Sequence, residues 1–191
     1  MFSGLENAES VIKKPCYHFD FKAEIENYGL KQGNKINFTS TRLPCYYENF
    51  EKMFLHKLKD NQYLVNVPME GKPMFAMSVD DIGECVLTVF ENPNEYKSKI
   101  LSLAGDHLQI SEFSSILSKH LAPNVFIDSG MTAKVFSGLF PGADELAAMF
   151  EFYQSGKSIR DIPLTKTVNK NVLSFEEWAV KNKKRLLAGL P

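Results

Sequence analysis

The chain lacks both of the glycine-rich signatures that hold nucleotide phosphates. Its 11 glycines form neither the G-x-G-x-x-G of dinucleotide-binding turns nor the G-x-x-x-x-G-K-[ST] of P-loops. Such loops present the backbone N–H groups of a helix N-terminus to a pyrophosphate. The sequence therefore shows no pyrophosphate-binding turn of either kind.

Long apolar runs and a charge excess are absent too. The longest apolar runs are a few residues, far short of the roughly 20 that cross a bilayer, and no secretory signal pattern opens the sequence. The formal net charge is -1, whereas nucleic-acid binders usually carry a marked basic excess. We expect a cytoplasmic protein, with the nucleus as a second compartment, and neither a membrane nor a nucleic acid among its partners.

Cysteine and histidine are few and lack the spacing of metal ligands. An odd number of cysteines without C-x-x-C or H-x-x-x-H patterns favours reduced thiols in an intracellular protein. We therefore expect no metal site. The residues are Cys16, Cys45 and Cys85, with His18, His56, His107 and His120.

Strand-like and helix-like segments alternate along most of the chain. Apolar periodicity and capping residues predict helices over 16–32 and 48–58, then from Ser78 or Asp80, from Ser111, after the Pro-Gly at 141–142 and after a capping box at 174–177. Short β-rich runs predict strands at 36–43, 62–67, 74–79, 99–103 and 124–128. The alternation predicts an α/β fold with a largely parallel sheet, and helices dominate the last 50 residues.

The first long helix carries one apolar stripe and, beside it, a histidine and a lysine. Tyr17, Phe21, Ile25 and Tyr28 recur at intervals of four, four and three residues. His18 and Lys22 lie four residues apart and share an adjacent face. A lysine there could reach a ribose hydroxyl or a carbonyl oxygen, although its spacing alone favours an ordinary surface lysine.

A polar, aromatic loop follows the strand that ends at Pro44. In open α/β sheets, ligands bind at the carboxyl ends of the strands. Residues 46–49 offer ring faces, a carboxylate and an amide, a set that suits a flat heterocycle with a carboxamide. The alternative is that one tyrosine packs in the core and Asn49 caps the next helix. The four residues are Tyr46, Tyr47, Glu48 and Asn49.

These segments, with others in the same order, resemble the NmrA-like family of atypical short-chain dehydrogenases/reductases, with the animal members that sense NADP(H) as the nearest likeness. The resemblance spans essentially all 191 residues. It is carried by residues 3–7 (SGLEN), 18–22 (HFDFK), 42–49 (RLPCYYEN), 77–83 (MSVDDIG), 140–143 (FPGA), 149–153 (MFEFY), 160–162 (RDI), 164–165 (LT) and the region of Trp178.

The resemblance implies an α/β fold in which an incomplete Rossmann-like, NAD(P)-binding parallel sheet joins a smaller, mainly helical C-terminal domain. Residues 1–104 would be the C-terminal part of the Rossmann-like domain, with 51–77 contributing to the small domain formed by 105–191. Relatives carry a glycine-rich strand-turn-helix ahead of the segment where this sequence starts, so the resemblance also implies a truncated member of the family.

The resemblance implies that His18 and Lys22 correspond to the Tyr-x-x-x-Lys pair of classical short-chain dehydrogenases. Because the tyrosine is replaced, the resemblance implies a non-catalytic sensor of NADP(H). Lys22 would contact the ribose or nicotinamide, and Tyr46, Tyr47, Glu48 and Asn49 would line the nicotinamide side.

The implied function is regulation through a protein partner, or through a homodimer, in response to the cofactor. Two alternatives stay open at this point. One is an NADPH-dependent reductase, in which His18 or Tyr17 would donate the proton, and the other is an interaction module that needs no cofactor.

Overall fold

The computed structural model describes residues 1–33, 35–51 and 53–191. Its strands are β1 Phe2–Gly4, β2 Ser40–Arg42, β3 Cys45–Tyr46, β4 Leu55–Lys59, β5 Gln62–Val65, β6 Met74–Met77, β7 Ile100–Ser102, β8 Asp106–Leu108 and β9 Val125–Asp128. Its helices are α1 Glu9–Ile12, α2 Tyr17–Lys31, α3 Ile82–Glu91, α4 Pro93–Tyr96, α5 Ile110–His120, α6 Ala133–Phe136, α7 Ala143–Gln154, α8 Ile162–Val168, α9 Phe175–Lys181 and α10 Lys183–Gly189. Short 3₁₀ turns cover Tyr47–Glu51 and Val79–Asp81.

The strands form three small sheets, ordered β1-β2-β7, β3-β6-β8 and β4-β5-β9. The pairs β1–β2, β2–β7, β3–β6 and β5–β9 are parallel, whereas β4–β5 and β6–β8 are antiparallel. Parallel neighbours require crossover connections, and α2 supplies the one between β1 and β2. The predicted α/β class with mainly parallel pairing is confirmed, and among the described residues beyond β9 only helices form.

The predicted helix over 48–58 is wrong. The described residues of this segment form the 3₁₀ turn Tyr47–Glu51 and then β4, which pairs antiparallel with β5 from Leu55 opposite Val65 onward. Phe50, Phe54 and Leu58 recur every four residues, which also fits a helix. Pairing with β5 makes this segment a strand, and apolar spacing in so short a segment does not predict that pairing.

The stripe on α2 lies on the exposed side of the helix. Tyr17, Phe21, Ile25 and Tyr28 are between 51% and 68% exposed. The buried side is made instead by Phe19, Asp20, Ala23, Glu26 and Gly29. The predicted helix and its stripe are present, but the stripe is not the face that packs against the rest of the chain.

Paired carboxylates explain how α2 buries a partly polar face. Asp20 accepts hydrogen bonds from the backbone N–H groups of Glu9 at 3.0 Å and Cys16 at 2.8 Å. Glu26 accepts from the Ser40 hydroxyl at 2.5 Å and forms an ion pair with Arg42. Buried charges are tolerated when every oxygen has such partners. Close contact with the segment that precedes β2 also depends on Gly29, where a Cβ would collide with the Phe38 ring.

One large hydrophobic cluster crosses the predicted domain boundary at 104. It joins residues from the 3₁₀ turn and β4–β6 with residues from α5, α7 and α9. Its aromatic centre contains edge-to-face and tilted pairs with ring centroids 4.6 to 5.5 Å apart, a separation that favours aromatic attraction. The rings belong to Tyr47, Phe50, Phe113, Phe175 and Trp178. The boundaries 1–104 and 105–191 stay a prediction.

Of the caps predicted at Ser78 or Asp80, at Ser111 and at Ser174, the one at Ser111 is wrong, whereas Ser78 caps the 3₁₀ turn that leads into α3. Ser174 and Glu177 form the predicted capping box of α9. The start of α5 is capped by Gln109, with Glu112 as its reciprocal partner, and not by Ser111. No helix of the described residues is both long enough and apolar enough to cross a membrane.

Candidate functional site

A cavity of about 360 Å³ opens between α2 and α7, beyond the carboxyl ends of β1 and β2. We call it the α2–α7 cavity. The edge where parallel strands end is the usual place for a ligand in α/β folds. Its walls are mainly apolar with a few polar groups, as in most small-molecule sites. It is lined by Ser3, Leu5, His18, Phe19, Lys22, Leu43, Pro44, Cys45, Tyr46, Asn49, Met53, Phe54, Phe136, Leu146, Met149, Phe150 and Tyr153.

Four candidate residues from the sequence meet at this cavity. His18 and Lys22 come from the first two turns of α2, and Tyr46 and Asn49 come from β3 and the 3₁₀ turn that follows it. Among the described residues, Lys22 takes part in no ion pair. A cation, an amide and a phenol ring therefore lie around one mainly apolar space.

Tyr47 and Glu48 do not line this cavity. Tyr47 is fully buried in the aromatic cluster, where its hydroxyl donates to the Leu173 carbonyl at 3.4 Å and burial raises its pKa. Glu48 accepts from the Ser78 hydroxyl at 2.8 Å, the Val79 N–H at 3.0 Å and the Trp178 indole N–H at 3.2 Å. Both side chains position the loop, and a direct cofactor contact from either stays a prediction.

The alternative interpretation of this loop is therefore half correct. One tyrosine, Tyr47, does pack in the core. Asn49 caps no helix but lies within the 3₁₀ turn, and its amide donates to the Cys45 sulfur at 3.4 Å. Burial raises the pKa of the Tyr46 phenol at the same cavity, so this group is a neutral hydrogen-bonding group at physiological pH.

Glu145, which the sequence analysis does not single out, fixes the start of α2. It lies in the first turn of α7 and accepts from the His18 backbone N–H at 3.0 Å and from the ring nitrogen Nδ1 at 2.6 Å. Burial alone would raise the pKa of Glu145, but the hydrogen bonds from His18 outweigh it and hold the pKa below the usual value. Because an ionised carboxylate can only accept a hydrogen bond, His18 carries a proton on Nδ1 and donates it in a hydrogen bond to Glu145.

Four apolar residues on one face of α7 supply most of the opposite wall. The i, i+3, i+4, i+7 spacing of Leu146, Met149, Phe150 and Tyr153 identifies the face correctly. The signal was present in the sequence, but apolar periodicity alone does not distinguish a core face from a cavity wall.

The sequence profile of the NmrA-like family matches residues 1–179, and the chain belongs to this family. It is also similar to prestalk A differentiation protein A of Dictyostelium discoideum. The two are 25% identical over 156 residues, which cover 78% of this chain and 51% of that protein. The chain therefore spans about half the length of this curated relative.

Solved structures with the same fold include a negative transcriptional regulator and a reductase. NmrA, a negative transcriptional regulator in complex with NADP, superposes with a TM-score of 0.72 at 14% identity, covering 99% of this chain and 65% of NmrA. The Escherichia coli NADPH-dependent quinone oxidoreductase in complex with NADPH superposes with a TM-score of 0.70 at 17% identity, covering 96% and 65%. The predicted Rossmann-like fold is thus confirmed.

Proposed function

We propose that the chain is an NADP(H)-responsive regulatory protein, in which the α2–α7 cavity receives the nicotinamide end of the cofactor. The observation that carries the proposal is the meeting of Lys22, Tyr46 and Asn49 at one cavity at the carboxyl edge of the strands. Membership of the NmrA-like family and the NADP bound to NmrA support the same cofactor class.

Each of these groups has a role that suits nicotinamide and its ribose. The Lys22 ammonium donates hydrogen bonds to ribose hydroxyls or to the carboxamide oxygen. The Asn49 side chain can both donate to and accept from a carboxamide. The ring of Tyr46 and the apolar residues of α7 pack against the flat heterocycle. His18 stands where classical relatives carry the catalytic tyrosine, which favours sensing over turnover.

A sensor also needs two states that bind the cofactor with different affinity. A ligand in the α2–α7 cavity would contact both α2 and α7, which meet through the hydrogen bonds of His18 to Glu145 and through Phe19 packed against Phe152. Occupancy would change the separation of these helices and thereby the surface offered to a protein partner, whether a regulatory protein or a second copy of the chain.

Calorimetric titration of the chain with NADPH, alongside a thermal melt, tests the proposal. We expect micromolar binding, and a stabilisation of about 2.7 kcal/mol when free NADPH is at 100 times its Kd. Lys22→Ala should weaken binding at least ~10-fold because it removes a charge-assisted hydrogen bond. Lys31→Ala, at the far end of the same helix, is the matched control and should leave binding unchanged. Equal binding by both variants would contradict the role of Lys22.

A reductase is the second candidate, favoured by the contact between His18 and Glu145. His18 lines the cavity beside Lys22 and is held through Nδ1, so in its imidazolium form it could donate the Nε2 proton to the carbonyl oxygen of a substrate that NADPH would reduce. Oxidation of NADPH in the presence of a quinone, abolished in His18→Phe, would establish this activity. Under the regulatory proposal, neither protein consumes NADPH.

The interaction module without cofactor gives a third outcome. The chain would then melt cooperatively, release no heat with NADPH and bind its partner equally with and without the nucleotide.

A further inference from the structure

Three side chains of the types that bind zinc converge where α2 begins and α7 passes it. Cys16 immediately precedes α2, His18 is its second residue and Glu145 lies in the first turn of α7. The Cys16 sulfur is 3.9 Å from His18 Nδ1, which is 2.6 Å from Glu145 Oε1, and the three ligand atoms lie within 4.8 Å of one another. No other such group of three is found among the described residues.

The geometry distinguishes this cluster from a catalytic relay. In a relay of thiol, histidine and acid, the thiol and the acid contact opposite nitrogens of the imidazole, so that a proton can pass through the ring. Here the sulfur and the carboxylate oxygen both face Nδ1. Three atoms that converge on one point are arranged as ligands of a shared ion.

The separations are close to those of a tetrahedral zinc site. Zinc bonds of about 2.3 Å to sulfur and about 2.0–2.1 Å to nitrogen and oxygen place neighbouring ligand atoms about 3.4–3.6 Å apart. The observed sulfur–nitrogen separation exceeds this range slightly, and the nitrogen–oxygen separation is that of a hydrogen bond, shorter than the range. Rotation of the Glu145 carboxylate away from Nδ1 by less than ~1 Å would admit the metal.

We propose that Cys16, His18 and Glu145 form a three-ligand site for Zn²⁺, with water as the fourth ligand. A thiolate, a neutral imidazole and a carboxylate contribute two negative charges, which the ion neutralises, and this donor set favours zinc over magnesium or calcium. Binding displaces the thiol proton to solvent, and the imidazole binds through Nδ1 as the neutral tautomer that carries its proton on Nε2. Glu145 lies at the edge of a neighbouring open pocket, which gives the ion a route from solvent.

The site would lock two walls of the α2–α7 cavity together. His18 belongs to the cavity lining, and Glu145 directly precedes Leu146 of the opposite wall. A metal would therefore replace a hydrogen bond between α2 and α7 with coordinate bonds. The sequence could not reveal this site, because 127 residues separate Glu145 from His18.

Titration with Co²⁺ under a phosphine reductant tests the proposal, because tetrahedral cobalt bound to a thiolate absorbs in the near ultraviolet and visible. We expect one equivalent per chain, displaced by Zn²⁺. Cys16→Ser and Glu145→Gln each remove one ligand with little change in volume, and each should weaken binding at least ~10-fold. Cys85→Ser is the matched control, since Cys85 is an equally buried thiol in a different cluster.

A thermal melt supplies an independent measurement. At a Zn²⁺ concentration near the Kd of the unmodified chain, Zn²⁺ should raise the Tm of that chain and of Cys85→Ser more than the Tm of Glu145→Gln. The Glu145→Gln variant keeps the local packing and serves should Cys16→Ser fold poorly. Absence of the thiolate–cobalt absorption in the unmodified chain would overturn the proposal, as would an unchanged cobalt affinity in Glu145→Gln. The readout involves no NADPH, so this proposal and the proposed function can fail separately.

Discussion

At the scale of single residues, a buried ion pair joins the end of β1 to the segment between α7 and α8. The Arg160 side chain is fully buried and donates to Glu6 at 2.5 and 3.2 Å and to the Leu43 carbonyl at 3.2 Å. Its Nε has no partner among the described residues. The guanidinium therefore holds both Glu6 and the backbone of Leu43, a residue that lines the α2–α7 cavity.

Arg160→Ala should destabilise the chain by about 3 kcal/mol, because it removes the partner of both Glu6 carboxylate oxygens and leaves only the Arg42 guanidinium, 3.9 Å away. Urea unfolding measures this loss. Lys14→Ala is the matched control, because Lys14 pairs with Glu151 at the surface, 2.7 Å away, and such pairs contribute less than about 1 kcal/mol. Similar losses for the two variants would show that the Arg160 pair adds no more than a surface contact.

The residues of the candidate site were predictable to the extent that they are close in sequence. The four-residue spacing of His18 and Lys22 and the loop at Tyr46 and Asn49 were sufficient to identify four lining residues. Tyr47 and Glu48 share that loop but turn towards the aromatic cluster and Trp178. Which side a loop residue faces depends on contacts more than 100 residues away.

At the scale of elements, the start of α9 depends on one hydroxyl. Ser174 Oγ accepts from the Glu177 N–H at 3.2 Å, and Glu177 Oε2 accepts from the Ser174 N–H at 2.9 Å. Ser174→Ala should cost about 1 kcal/mol, as N-cap replacements typically do. The comparison is with Ser111→Ala at α5, which should change stability by less than about 0.5 kcal/mol because Gln109 caps that helix.

The same capping box predicts the direction in which the stability of the fold changes with pH. Hydrogen bonds from Ser174 lower the pKa of Glu177 in the folded chain. A carboxyl with a depressed folded pKa stabilises the fold above its unfolded pKa of about 4.3, and the contribution is lost as pH falls through the folded value. Urea unfolding between pH 7 and pH 3 should therefore show a smaller acid-dependent loss in Glu177→Gln. An equal loss in both proteins would contradict the assignment.

Periodicity predicted the long helices and failed where an element depends on a distant partner. The helices α5 and α7 follow their apolar spacing, and α9 begins at its predicted capping box. The segment that forms β4 does not follow its apolar spacing, because pairing with β5 favours a strand over the helix that the spacing predicts. The exposed stripe of α2 shows the second limit, since paired carboxylates on the opposite face allow that face to be buried. The hydrophobic pattern of a sequence does not reveal which carboxylates will be paired when buried.

At the scale of the whole molecule, each hydrophobic cluster contains one cysteine. Cys45 lies in the largest cluster, Cys85 in the cluster around α3 and β7, and Cys16 in the cluster of α1, α2 and α7. Desolvation by burial is the main cause that raises the pKa of Cys16 to about 12 and those of Cys45 and Cys85 to about 11. The reactivity of each thiol therefore measures the exposure of a different part of the fold.

We expect all three thiols to alkylate at least ~100-fold more slowly in the native chain at neutral pH than after unfolding, because the thiolate is the reactive form. If the clusters unfold together, the three should become reactive over one range of urea concentration. Mass spectrometry of alkylated peptides in the presence of a chelator measures each site. Earlier labelling of Cys16 alone would show that α1, α2 and α7 open as a separate unit.

The strand β4 lies at the edge of its sheet, and four of its five residues are exposed, among them Lys57 and Lys59. An edge strand presents unpaired backbone groups that can recruit strands from other molecules, and lysines oppose this by electrostatic repulsion. The two ammonium groups therefore contribute little to the folding of one chain and much to keeping many chains apart. Their effect grows with protein concentration. We therefore expect the double variant Lys57→Thr/Lys59→Thr to form fibrils at high protein concentration and to remain free of fibrils at low concentration.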